Sequence, residues 1–220
     1  LLGRGEAPRE LWVQQGAGSR LKELIAQAQA HGARVKEQPR DLLDQLTQGA
    51  AHQGVVAFCP PLTPEGEESL WLKLRAWPSS TPPLLLILDG VTDVHNFGAC
   101  LRSADAAGAH GVIVAKDKAA PLNATVRKVA CGAAEVVPVY QVTNLARTLA
   151  KLKDAGVWIT GTAGEAEASV FDIDMTGPTA LVMGAEGKGM RRLTREACDN
   201  LAKLPMAGEV SSLSFRWPQA

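Results

Sequence analysis

The sequence predicts an α/β fold built on a parallel sheet and preceded by a smaller α/β module, on three observations. From Leu84 onward, strand-length runs such as LLLILD, GVIVA and TALVMG are apolar at nearly every position, the pattern of strands covered on both faces. Segments of helical period separate these runs, as crossover connections between parallel strands require. Residues 1–59 repeat the alternation in a weaker form. At 220 residues the chain can bury a real core and hold one large domain or two small ones.

In chain order, ELWVQ reads as a strand and SRLKELIAQAQAHG as a helix. Ser19 is the expected N-cap of that helix, Leu21, Leu24, Ile25 and Ala28 share one face, and Gly32 is the stop. ARVKEQ is a second strand, PRDLLDQLTQG a helix opened by Pro39, and GVVAFC a third strand. Six prolines from Pro60 to Pro83 surround one amphipathic stretch, EGEESLWLKLRAW, a composition suited to a connector. The expected division is therefore a module at 1–59, a linker at 60–83 and a main domain at 84–220. That domain runs through LLLILDG, a helix from about Phe97 to Gly108, GVIVA, a helix around NATVRKVACG, VVPVY, NLARTLAKLKDAG, VWITGTAG, TALVMGAEG, RRLTREACDN and AKLPMAG. Ligands of such sheets bind at the carboxyl ends of strands, so the loops after Leu88, Ile159, Met183 and Leu204 are the places for a site.

Composition removes several function classes. With 23 basic and 23 acidic residues the formal net charge is zero, so any nucleic-acid site must be a local patch. Cys59, Cys100, Cys131 and Cys198 are far apart, with no C-x-x-C and no histidine at zinc-ligand spacing. They read as reduced thiols of a cytoplasmic protein. No apolar run approaches the ~20 residues of a membrane span, and no charged-then-apolar leader opens the chain. The opening LLGRGEAP lacks a methionine, so the natural start is expected to be missing.

GAEGKGM, Gly184 to Met190, looks like a phosphate loop but lacks the G-x-x-x-x-G-K-[ST] spacing, and no strand is followed by G-x-G-x-x-G. Its plainer reading is a tight strand-to-helix turn, although Glu186 in such a turn can point back into a strand-end cleft. His31, His52, His95 and His110 are isolated and no G-x-S-x-G elbow exists, which leaves hydrolase chemistry without support. His95 reads as a turn or capping residue. If a helix begins near Asn96, Arg102 lies about two turns in and close to the same face. Alone, that pair is equally a cap beside a surface arginine and a functional site.

Three segments change the weighing. LDGVTDVHNFGACLRSADAAGAHGVIV, LVMGAEGKGMRRLTREACD and LPMAGEVSSLS closely resemble the three ordered motifs of the SpoU, or TrmH, class of SPOUT RNA 2'-O-methyltransferases. The likeness runs through nearly all of Leu84 to Ser214. AHQGVVAFC, LNATVRKVACGAAE, VTNLART and GTAGEAE are similar to the branch acting on a guanosine 2'-hydroxyl of 23S rRNA. The resemblance implies methyl transfer from S-adenosylmethionine, a sheet whose C-terminal part forms a deep trefoil knot, a homodimer sharing its substrate site, and no metal or membrane. It also implies that the N-terminal module is similar to ribosomal protein L30 and grips RNA. Carried over residue by residue, it places Asn96, Arg102, Glu186 and Ser212 on the reacting side. Thr162, Gly164, Met183, Gly184, Leu204, Met206 and Leu213 would hold the cofactor. Arg127, Lys128, Arg191 and Arg192 are candidate phosphate contacts.

Two departures stand out. Val94 follows Asp93 where the family usually has proline, which loosens a turn without removing chemistry. The third motif ends SLSFRWPQA where the family continues into Val-Ser-Val-Ala and a final knot-closing helix. One codon choice for Phe215 to Ala220, TTT CGG TGG CCA CAG GC, reads Val-Ser-Val-Ala-Thr-Gly once a single G precedes it. The expectation is a one-nucleotide deletion in gene or record, and coding DNA unable to yield that tail would sink it. The altered ending keeps a second reading open, a non-catalytic RNA-binding or ribosome-assembly homologue.

Overall fold

The computed structural model describes residues 8–16 and 18–205, and the chain divides between Pro61 and Leu62 into two compact units. In the first, strand β1 (Glu10–Gln14) pairs in parallel with β2 (Arg34–Gln38) and antiparallel with β3 (Val55–Phe58). Helix α1 (Ser19–Ala30) and helix α2 (Arg40–Leu46) connect them. Leu11 and Val13 of β1 are buried with Ala28 and Ala33, while Glu10, Trp12 and Gln14 are only half-buried. This is the period-2 alternation of a strand with one face in a core. Ser19 is the first helical residue rather than the cap. Gly18 holds the cap position, and its carbonyl accepts the amides of Leu21 and Lys22 at 3.0 and 3.3 Å.

The second unit holds a seven-stranded sheet in the order β10-β8-β9-β5-β6-β7-β4, parallel throughout. Its elements are β4 (Glu65–Gly66), α3 (Glu67–Arg75), β5 (Leu84–Asp89), α4 (Val94–Ala106), β6 (Gly111–Ala115), α5 (Ala124–Val129), β7 (Val139–Val142), α6 (Leu145–Asp154), β8 (Trp158–Thr162), β9 (Thr179–Gly184), α7 (Arg192–Glu196) and β10 (Asn200–Ala202). The stretch expected to be a linker does more than connect. Glu65 and Gly66 extend the sheet along β7, and α3 buries Leu70 against it. Proline composition masked an amphipathic helix that has a core to pack on.

Alternate residues of one strand feed two cores. Leu86 and Leu88 of β5, with Val112 and Val114 of β6, pack under Phe97 and Leu101 of α4 and Val126 of α5. Leu85, Ile87 and Ile113 face the other way, against Leu145, Leu149 and Leu152 of α6. Burial on both faces is why these strands are apolar throughout, and each fully buried aliphatic side chain contributes about 1.5–3 kcal/mol. From β5 the chain runs outward through β6 and β7, crosses back to lay down β8, and slots β9 between β8 and β5. The reversal puts the switch point of the sheet between β5 and β9, where a crevice at the carboxyl ends is expected.

Candidate active site

At that switch point Asp89, paired in register with Gly184 of β9, ends β5. Helix α4 begins at Val94, three residues before the expected start at Phe97. Asp93 caps it, its side chain accepting the Asn96 amide at 2.8 Å. Ahead of the buried Phe97 that turn holds one apolar residue, the half-buried Val94, between Asp93 and the polar His95 and Asn96, too little for hydrophobic period to mark the start. His95 lies inside that turn and is exposed. The expectation that Asn96 and Arg102 share a face fails on geometry. Six residues rotate about 600° at 3.6 residues per turn, leaving the two side chains about 120° apart. Arg102 is half-buried and, among the described residues, makes no hydrogen bond or ion pair.

What Asn96 meets instead is the second motif. Its Nδ2 donates to Glu186 Oε2 at 3.1 Å, tying the start of α4 to the loop after β9 across ninety positions of sequence. That loop is closed on itself: Ala185 N donates to the Gly189 carbonyl at 3.1 Å and Gly189 N to that of Ala185 at 2.8 Å. With two amides spent internally it is no phosphate cradle, in keeping with its wrong spacing. Gly187 and Gly189 have φ of 73° and 65°, the left-handed region that costs glycine little. A Cβ on Gly184 would lie 2.2 Å from the Gly189 carbonyl carbon, so no side chain fits there.

The remaining expected site residues fall into three groups. Thr162 ends β8, its hydroxyl donating to the Val182 carbonyl at 3.0 Å. Gly164 lies exposed beyond it. Met183 and Leu204 are half-buried, at the end of β9 and just past β10. Since β10, β8 and β9 are parallel neighbours, these residues gather at one edge of the sheet. Met206, Ser212, Leu213 and the SLSFRWPQA ending lie outside the described residues.

The four expected phosphate contacts differ sharply. Arg127 is engaged in a two-point pair with Glu135, which is 7% exposed. Lys128 neighbours it on α5. Arg192 makes an exposed i,i+4 pair with Glu196 at 2.7 Å, an interaction of a few tenths of a kcal/mol. Arg191 gives its backbone amide and its Nε to the two oxygens of Asp89, whose side chain is fully buried. Sequence reasoning missed Asp89. Its signal was a carboxylate closing a run of five apolar residues, LLLIL, a burial no acid tolerates without a partner.

Burial, aided by the neighbouring Asp199 carboxylate, pushes the Cys198 thiol up to about 11, and burial alone does the same at Cys100. Neither is a nucleophile near neutral pH. Among the described residues no group of three His, Cys, Asp or Glu side chains is placed to hold a metal, and no helix is long and apolar enough to cross a membrane.

Residues 83–214 match the model of the SpoU rRNA Methylase family, and residues 2–65 match that of RNA 2'-O ribose methyltransferase substrate binding. The chain is 56% identical over 207 residues to the 23S rRNA (guanosine-2'-O-)-methyltransferase RlmB of Pseudomonas putida, covering 94% of this chain and 82% of that enzyme. With its Escherichia coli counterpart it shares 53%, over 94% of this chain and 84% of that one. Among solved structures, the SpoU methyltransferase AviRb from Streptomyces viridochromogenes in complex with AdoMet is similar with a TM-score of 0.72 and 27% identity, over 96% of this chain and 79% of that one. With the first two motifs joined at the switch point of a parallel sheet, and the matching family model spanning more than half of the sequence, the chain belongs to the SpoU rRNA methylase family.

Proposed function

We propose that the chain transfers the methyl group of S-adenosylmethionine to the 2'-oxygen of a guanosine ribose in 23S rRNA. The observation that carries this reading is identity of 56% across 94% of the chain to an enzyme named for that reaction. The geometry supports it: the polar groups of the first two motifs meet at the carboxyl edge, between β5 and β9.

The strand-end residues fit the cofactor by their chemistry. Met183 and Leu204 offer apolar surface for an adenine, and the glycine-containing turns after β8 and β9 offer backbone edges to its polar atoms. When bound, the sulfonium supplies an already activated methyl group, so the protein's task is in-line placement and management of the 2'-hydroxyl proton. Glu186 takes one amide hydrogen of Asn96 and so orients that amide toward the ribose. The Arg102 guanidinium carries donors and no acceptor, which suits it to stabilise developing alkoxide and phosphate charge rather than to remove a proton. Ser212 completes the reacting side in this reading, and Met206 and Leu213 complete the cofactor site.

The family likeness further supports a deep trefoil knot in the C-terminal part, an L30-like module that grips RNA, and a cytoplasmic homodimer sharing its substrate site. Phe171, 82% exposed, and Trp158, 60% exposed, leave apolar surface for such a partner. Sedimentation checks the dimer.

Transfer is tested by incubating the chain with labelled S-adenosylmethionine and a 23S rRNA fragment, then mapping 2'-O-methyl positions. Label at a guanosine ribose is the expected result. Tight RNA binding without transfer would establish the assembly-factor reading instead.

A further inference from the structure

Beside the Asp89–Arg191 junction, the carboxyl ends of β6 and β7 open into a cavity of about 340 Å3, walled by Ala115, Asp117, Asn144, Ala146, Arg191 and Arg192. It lies by the first turn of α6, which packs on the face of the sheet opposite α4 and Asn96. At ~30 Å3 per water, the space holds about ten solvent molecules, enough for a phosphate with part of its sugar.

We propose that this cavity seats a backbone phosphate of the RNA substrate, with Arg192 and the terminal nitrogens of Arg191 as its donors. The inference rests on the methyltransferase reading above. Nothing in the overall charge of the chain draws RNA, since 23 basic residues balance 23 acidic ones, so contact depends on placed donors. Arg191 is placed: Asp89 takes its backbone amide and its Nε. Its two terminal nitrogens make no hydrogen bond among the described residues. A guanidinium held in this way loses little side-chain freedom on meeting a phosphate, and two of its donors remain in the fork that phosphate oxygens match. Arg192 is different, 75% exposed and, among the described residues, held only by Glu196, a pairing weak enough to exchange for a phosphate. The N-terminal end of α6 adds a favourable dipole. Asp117 is the opposing charge in the wall, and the exposed Lys116 and Lys118 flank it on the same loop.

The test uses the whole chain, a 23S rRNA fragment, and two variants, Arg192→Gln and Ala146→Glu. Position 146 lies in the first turn of α6, where a glutamate favours the helix while placing a carboxylate in the cavity. Ala146→Glu is expected to weaken RNA binding about tenfold. Arg192→Gln should weaken it severalfold and reduce the slope of log K against log salt by about 0.7–0.9. Affinity for S-adenosylmethionine and melting temperature should stay as in the parent chain. Unchanged RNA affinity and salt slope in both variants would overturn the proposal. So would weakened cofactor binding in Ala146→Glu, which would make this a pocket for the cofactor's carboxylate. Methyl transfer by the parent chain is scored separately: a parent that binds RNA through the cavity yet transfers nothing would refute the reaction and leave the phosphate site standing.

Discussion

At the ends of β8, β9 and β10 the chain is so closely packed that a side chain on Gly184 would meet the Gly189 backbone 2.2 Å away. Two to three strands along the same edge, about 10–15 Å at ~4.8 Å per strand, the ends of β6 and β7 open into a cavity between arginines. Among the described residues the first half of the edge offers backbone, the half-buried Met183 and Leu204, and a Thr162 hydroxyl already given to the Val182 carbonyl, so shape governs what it can recognise. The second half offers directed cationic donors, so it recognises charge. Between them stand two polar ties, Asp89–Arg191 and Asn96–Glu186. The difference implies two kinds of sensitivity: the proposed cofactor half fails by steric insult and ignores salt, while the proposed RNA half tolerates volume and responds to ionic strength.

The sharpest way to break that contrast is Gly184→Ala. One methyl group there forces the turn at 185–189 apart, an overpacking that costs about 1–3 kcal/mol. The expected outcome is cofactor binding too weak to measure by calorimetry and a melting point lowered by several degrees. Gly187→Ala is the control, because nothing lies within 4 Å of a Cβ at that site. Only its φ of 73° resists an alanine, at roughly 1–2 kcal/mol. It should bind the cofactor nearly as the parent does. Equal behaviour of the two variants would show that shape does not govern this half.

Next in size is Arg102→Ala. If this guanidinium stabilises charge that develops only during transfer, its loss should lower the single-turnover rate by about 10²–10³ and leave cofactor affinity within twofold. Full activity would overturn the assignment. Glu186→Gln is the milder companion. It keeps an acceptor oxygen for the Asn96 amide but removes the charge, and an exposed hydrogen bond of this kind is worth about 0.5–1.5 kcal/mol. The rate should fall by a few-fold to about tenfold, again without a change in cofactor affinity.

The sequence and the structure part company for physical reasons visible at single residues. Strands β5, β6 and β9 were legible because burial on both faces leaves a continuous apolar run. The amphipathic α6 was legible from its helical period, whereas its Asn144 cap shows only in the structure. The start of α4 was not legible, since ahead of Phe97 the turn capped by Asp93 holds only the half-buried Val94 as an apolar residue. The amphipathic stretch of helix α3 was legible, but the prolines around it read as a connector and its place against the sheet did not show. Within the site, the likeness of motifs marked Asn96 and Glu186, but the bond between them spans the sheet edge and has no local signature. Asp89 went unnoticed because a strand-end acid normally faces water. The apolar run before it hinted at burial, but only the fold shows that its partner is Arg191, which sets Arg191 apart from the exposed Arg192.

The smallest expected effect concerns the buried thiol of Cys100 and the half-buried thiol of Cys198, and it separates the packed half from the open one by pH rather than by function. Cys198 lies so close to β8 that a Cβ on Gly161 would come within 2.8 Å of its Sγ. Its thiol, like that of Cys100, is raised from 9.0 to about 11, chiefly by burial. A thiol with a raised pKa keeps its proton in the folded state after the unfolded chain has shed it. The thiols' contribution to stability is therefore constant below about pH 9, declines as pH rises from there to about 11, and changes no further beyond. Melting curves taken across that window should fall by a few degrees, and Cys198→Ala should flatten the decline. Cys131→Ala should leave it unaltered, because Cys131 is exposed. A thiol reagent at pH 8 should accordingly modify Cys131 quickly and reach Cys100 only on unfolding. Labelling of the half-buried Cys198 as fast as that of the exposed Cys131 would show that its position against β8 does not shield it, and the shape-based account of the cofactor half would fall with it.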